Sequence, residues 1–170
     1  MVRDEALQQA MNDYGHYLTR LSYVFVKDFS RAEDIVQNVF IKFYTGYECF
    51  EGRSSVKTYL YKMTVNECRN YLKSWAYRKQ ELTNTFAHAI HKDSPESHFV
   101  TNEGNRELAQ TLRKLPTKYR EVIWLHYYAE LTVIEVAKVL DCTPNTVKTR
   151  LVRARKQLGK RLVEEGFDGT

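Results

Sequence analysis

Between Leu131 and Leu158 the chain reads LTVIEVAKVLDCTPNTVKTRLVRARKQL, two helix starts separated by a tight turn. Thr132 with Glu135 three residues on forms a capping box, in which each side chain satisfies a backbone amide near the helix start. Thr143 followed by Pro144 marks a second start, because a threonine oxygen accepts an orphan amide proton and proline presets φ at the first helical position. In that second helix Val147, Leu151, Ala154 and Leu158 recur at helical spacing and define a buried face. The opposite face carries Lys148, Thr149, Val152, Arg153, Lys156 and Lys160. From Thr143 to Arg161 the charged residues are Lys148, Arg150, Arg153, Arg155, Lys156, Lys160 and Arg161, with no Asp or Glu. Such an excess on one short helix is the electrostatic footprint of a groove-binding element. A basic solvated face is the bland alternative. The capped helix before it and the three-residue connection Asp141, Cys142, Thr143 favour a helix-turn-helix.

The chain has 170 residues, a net charge of +5 and few Gly or Pro. Repeated apolar residues at i, i+3, i+4 predict an all-α chain of two small helical domains. Cys49, Cys68 and Cys142 are dispersed and lack CxxC spacing, which suits buried thiols in a reducing compartment better than a disulfide framework or zinc site. The acids and glutamines of MVRDEALQQAMNDY do not make a signal peptide, and no uncharged stretch approaches ~20 residues. These features predict a soluble, cytoplasmic protein.

Leu7, Ala10, Met11, Tyr14, Leu18, Leu21 and Phe25 predict a first helix from about Asp4 to Val26. Ser30 and Glu33 read as a capping box opening a second, with apolar face Ala32, Ile35, Val36, Val39, Phe40 and Phe43. A third helix, roughly Ser55 to Trp75, carries Val56, Leu60, Met63, Cys68, Tyr71 and Leu72, completing a bundle-like domain of three to four helices over residues 1–79. Between Arg53 and Lys79 the bases Arg53, Lys57, Lys62, Arg69, Lys73, Arg78 and Lys79 face the single acid Glu67, interleaved with Tyr59, Tyr61, Tyr71, Trp75 and Tyr77. That pattern suits stacked bases with phosphates alongside; the competing reading places the rings in a core.

Residues 80–104 lose apolar periodicity and turn acidic through Glu81, Asp93, Glu96 and Glu103, with Ser94-Pro95-Glu96 interrupting any helix. They read as a linker. His88, His91 and His98 lie there without a cysteine or paired carboxylate at metal-ligand spacing, so no metal site is assigned. A second domain of about four helices, residues 105–170, follows through Leu108, Leu112 and Leu115, a stop at Pro116, and Val122, Ile123, Leu125 and Tyr128. Its end from Glu164 is short and polar.

Two separate segments resemble one family, the extracytoplasmic-function sigma factors of bacterial RNA polymerase. RAEDIVQNVFIKFY resembles the segment that docks on the polymerase clamp helices. GRSSVKTYLYKMTVNECRNYL resembles the helix that recognises and opens the −10 element. The stretch from Leu115 to Leu158 resembles the −35-reading domain nearly end to end.

The resemblance implies a polymerase contact of Asp34, Gln37, Asn38, Phe40, Ile41 and Tyr44. It implies a −10 set of Arg53, Lys62, Asn66, Arg69, Asn70 and Lys73. The −35 set is Asn145, Thr146, Lys148, Thr149, Arg150, Val152, Arg153 and Lys156. Three positions depart from the family pattern: Asn38 stands where an acid is usual, Tyr59 where tryptophan is usual, and Asn145 where glycine is common. The implied partners are core RNA polymerase, promoter DNA and an anti-sigma factor, often membrane-anchored, with no cofactor and no small-molecule substrate.

Two rivals remain on the residues alone. A stand-alone helix-turn-helix regulator predicts a two-fold symmetric footprint without polymerase. An enzyme acting on nucleic acid would lack a Walker loop, HExxH or clustered acidic pair.

Overall fold

In a computed structural model, residues 2–83 and 110–166 are described. All regular structure among them is helical. The chain divides into two compact units, Met1–Ser94 and Pro95–Thr170, each taken separately below. The predicted His-containing linker from residue 84 onward lies outside the described residues, as does Leu108.

In the first unit α1 spans Val2–Val26, α2 Phe29–Thr45 and α3 Val56–Thr83, with a 3-10 turn at Tyr47–Cys49. The expected α1 stripe is buried at Ala10, Leu18, Leu21 and Phe25, whereas Met11 is exposed. The six apolar residues assigned to α2 are all buried.

Its cap differs from expectation. Lys27 turns the chain at a φ of 55°, and Asp28, extended, accepts from the Arg31 amide at 3.0 Å. The cap therefore lies two residues before Ser30, and a carboxylate at the positive helix end adds a charge–dipole term to the hydrogen bond.

α3 starts as predicted, with Ser55 Oγ accepting from the Thr58 amide at 3.1 Å. It runs eight residues beyond Trp75, through residues 80–83 of the expected linker, because no Gly or Pro stops it before Pro95. Its core face is Leu60, Tyr61, Thr64, Val65 and Cys68; Val56, Met63, Tyr71 and Leu72 are half-buried. Tyr61 is 1% exposed, and burial pushes its phenol upward from its ordinary pKa. Each fully buried side chain of this size contributes ~1.5–3 kcal/mol.

Among the described residues, the second unit opens with helical residues 110–114. Then come α4 (Thr117–Ile123), a π-helical turn at Trp124–Tyr128, α5 (Val133–Leu140) and α6 (Pro144–Glu164). Leu115, Val122, Leu125, Leu131, Val136, Val139, Val147, Leu151 and Ala154 form the core. Arg120 is buried and ties the segments together, donating to the Arg113 carbonyl at 2.7 Å and to Thr117 Oγ1 at 3.0 Å. Burial lowers its guanidinium pKa.

The π turn, closed by Ala129 N donating to the Trp124 carbonyl at 3.0 Å, inserts an extra residue into the helical period. Tyr128, expected inside, is consequently rotated outward and is 47% exposed.

Candidate nucleic-acid and polymerase interface

The turn between α5 and α6 is built as the sequence requires. Thr132 accepts from the Glu135 amide at 3.2 Å, while Glu135 accepts from the Thr132 amide at 2.8 Å. Asp141 takes the left-handed conformation (φ 54°, ψ 46°) that reverses the chain after α5. Thr143 then accepts from the Thr146 amide at 3.2 Å, with Pro144 first in α6. The connection is the three residues read from the sequence.

α6 packs through Val147, Leu151 and Ala154, with Leu158 half-buried. Facing away, Asn145, Lys148, Thr149, Val152, Arg153 and Lys156 are exposed and Thr146 is half-buried. The structure brings seven of the eight −35 candidates onto one accessible side.

Arg150 differs. Its Nη1 lies 3.3 Å from Glu121 Oε1, a carboxylate 5% exposed on α4. It is committed within the unit, at the edge of the exposed set. Arg155 donates to Tyr127 Oη at 2.8 Å. A groove of about 330 Å³ runs beside the start of α6, lined by Lys118 and Tyr119 from α4 and by Asn145, Thr146, Thr149, Arg150 and Arg153. The sequence reading did not single out Lys118 or Glu121, since neither lies within the helix-turn-helix window.

On α3, Lys62, Asn66, Arg69, Asn70 and Lys73 fall within about a third of the circumference at ~100° per residue, opposite the core stripe. Asn66, Asn70 and Lys73 are exposed; Lys62 and Arg69 are half-buried. Arg53 precedes the helix, exposed and ion-paired with Glu51 at 2.5 Å. Glu67 is drawn aside by an ion pair with Lys42 of α2.

Among the described side chains, the aromatics of α3 divide between core and surface. Tyr61 is in the core, and Tyr59 packs on Phe50 (4.9 Å between ring centroids) and Phe43 (6.4 Å). Trp75, exposed with Lys79 Nζ 4.8 Å from its ring centroid, lies two turns beyond Cys68 on the side continuing the buried stripe. Aromatic spacing alone did not distinguish core from surface rings. The side chain of Tyr77 lies outside the described residues.

On α2, Asp34, Gln37, Asn38 and Ile41 are exposed on one face, Ile41 to 59%. Phe40, at 7% exposure, packs in the core stripe of α2. Tyr44 is half-buried and fixed to α1: its hydroxyl donates to Asp4 Oδ1 at 2.9 Å and accepts from Arg3 Nη2 at 3.1 Å. That hydrogen bond is the main cause holding the Asp4 carboxyl below its ordinary pKa.

Comparison with known proteins bears on both units. Residues 10–78 match Sigma-70 region 2 and residues 105–158 match Sigma-70, region 4. The chain is 30% identical over 158 residues to the RNA polymerase sigma-H factor of Pseudomonas aeruginosa, covering 88% of this chain and 82% of that protein. It is also 30% identical over 168 residues to the ECF RNA polymerase sigma factor SigW of Bacillus subtilis, covering 93% and 89%. Its fold is similar to that of the sigma factor RpoE, solved in complex with the anti-sigma factor NepR from Bartonella quintana. There the TM-score is 0.75 at 21% identity, over 93% of this chain and 97% of that one.

Proposed function

Since the chain belongs to the extracytoplasmic-function family of RNA polymerase sigma factors, we propose that it directs core polymerase by reading −35 duplex with α6 and holding the opened −10 strand on α3. The observation that carries this reading is the exposed side of α6, where Lys148, Thr149, Val152, Arg153 and Lys156 stand clear of a core made by the same helix. A helix of this charge seated in a major groove uses some cations on phosphates, which set affinity, and others on base edges, which set sequence. Lys148 and Arg153 take the base-reading role.

The first module, residues 1–79 extended by α3 to Thr83, has the second task. Unstacking costs a few kcal/mol per base, so the opened state is trapped only if polar groups receive the extruded bases. Asn66 and Asn70 present amides that can both donate and accept. Lys62, Arg69 and Lys73 on the same face serve the phosphates. The α2 face of Asp34, Gln37, Asn38 and Ile41 docks on the polymerase clamp, Ile41 supplying the apolar contact. Residues 80–104, the first four of them continuing α3, act as an acidic tether that like charge keeps off DNA. Residues 105–170 form the −35 module.

The protein acts by binding rather than by catalysis, in the cytoplasm with polymerase. No helix among the described residues is long and apolar enough to cross a membrane. An anti-sigma partner, in the manner of the Bartonella complex, controls its access to polymerase. The test is co-purification with core polymerase, followed by footprinting of the assembled holoenzyme on a selected promoter. Protection of both elements in one asymmetric footprint supports the reading. A two-fold symmetric footprint formed without polymerase overturns it in favour of a stand-alone regulator.

A further inference from the structure

We infer that Lys118 of α4 is a DNA-phosphate contact, so that the −35 interface has a second wall outside the helix-turn-helix. The inference rests on the −35-reading role of α6 and adds to it a residue three helical segments earlier in the chain.

Lys118 is exposed and lines the groove of about 330 Å³ together with Thr149 and Arg153 of α6. The electrostatics of that groove are set by which cations are already neutralised. Arg150 is paired with the buried Glu121, so the inner side of the groove carries little net charge. Lys118 and Arg153 have no carboxylate partner among the described residues. With Arg153 given to base edges, Lys118 is the unneutralised cation left at the groove's outer rim, and it gains when an anion sits beside it.

The placement also suits a phosphodiester. Lys118 and Glu121 are three residues apart and share one side of α4, and Glu121 grips Arg150 of α6. The Lys118 side of α4 is thereby fixed against the N-terminal half of α6. When that half of a recognition helix enters a major groove, the sugar–phosphate strand passes along its flank. Here the flank is the groove between α4 and α6. Thr149, exposed at its edge, offers a hydroxyl to the same strand, and the positive N-terminal end of the 21-residue α6 adds to the attraction.

The experiment uses holoenzyme assembled from core polymerase and the full chain, carrying the wild-type sequence, Lys118→Ala or Lys118→Arg. Affinity is measured against salt on a promoter duplex and on one with its −35 element scrambled. The expected result for Lys118→Ala is a slope of log K on log salt lower by ~0.9, one phosphate contact. The loss of affinity should be the same factor on both duplexes, with Lys118→Arg keeping the wild-type slope and all three chains melting alike. An unchanged slope overturns the inference while leaving the −35 reading intact, provided the wild type still prefers the promoter duplex. A loss confined to one −35 sequence also overturns it, since Lys118 would then read a base. If the wild type itself fails to discriminate the duplexes, the −35 reading falls and this inference falls with it.

Discussion

Arg150 Nη1 and Glu121 Oε1 lie 3.3 Å apart across 29 positions of sequence, joining the recognition helix to α4. Removing the arginine leaves a carboxylate only 5% exposed without this partner. Arg150→Ala should therefore cost on the order of 2 kcal/mol, reduced from the fully buried case because Arg150 itself is partly solvated. Thermal unfolding of the second unit should fall by roughly 10 °C. A melting temperature within one or two degrees of wild type would show the pair contributes little.

Arg153 makes the opposite prediction. Exposed and outside the core, Arg153→Ala should leave unfolding within ~0.5 kcal/mol of wild type. It should relax selection at one −35 position by ~1–3 kcal/mol. Binding measured on a panel of single-base −35 variants checks it, and equal loss on every variant would make Arg153 a phosphate contact instead.

Adjacent residues of α2 should separate docking from folding. Ile41→Ser removes an apolar side chain that is 59% exposed, so stability should hold while association with core polymerase weakens at least tenfold. Phe40→Ala empties a core position and should cost ~3–5 kcal/mol of stability. Circular dichroism melting and a polymerase competition assay on the same preparations distinguish the two. Loss of docking with Phe40→Ala at full stability would mean the ring reaches the partner after all.

Asn66→Ala and Asn70→Ala should each lower open-complex formation about tenfold, consistent with ~1–3 kcal/mol per base contact, without weakening polymerase binding. Permanganate reactivity of −10 thymines reports the melted state. Unchanged reactivity in the double variant would remove this face of α3 from strand capture.

The thiols should differ in reactivity. Cys49 is exposed, whereas Cys68 is buried and burial pushes its pKa from its ordinary 9.0 up to about 12. At pH 8 a thiol reagent should modify Cys49 quickly and Cys68 only after unfolding. Because the folded pKa is raised, Cys68 favours the folded state fully below about pH 9, and that contribution is lost as pH rises from 9 toward 12. Native-state labelling of Cys68 at the rate of Cys49 would contradict its placement in the α1–α3 core.

What was legible in the sequence was local. The α2 stripe, the Thr132–Glu135 box and the Thr143-Pro144 start each depend on residues within one or two turns, and each forms as read. Asp28 was missed because Ser30 and Glu33 satisfy the same pattern two residues later. Phe40 carried two signals, period and motif, and of these the period describes its packing in the core. The commitments of Arg150 to Glu121 and of Glu67 to Lys42 depend on helices meeting in space, and periodicity is silent on that. Likewise the aromatics of α3 share a period that suits either a core or a platform. Their neighbours, Phe43 and Phe50 for Tyr59, settle where a ring goes.

The central claim is tested most directly by run-off transcription with purified core polymerase, comparing a promoter chosen by selection with the same template carrying scrambled −10 and −35 elements. The account predicts initiation at a single start site only when the chain is added, and its loss when either element is scrambled. Initiation that is no greater with the chain than without it, or that ignores both elements, would contradict it.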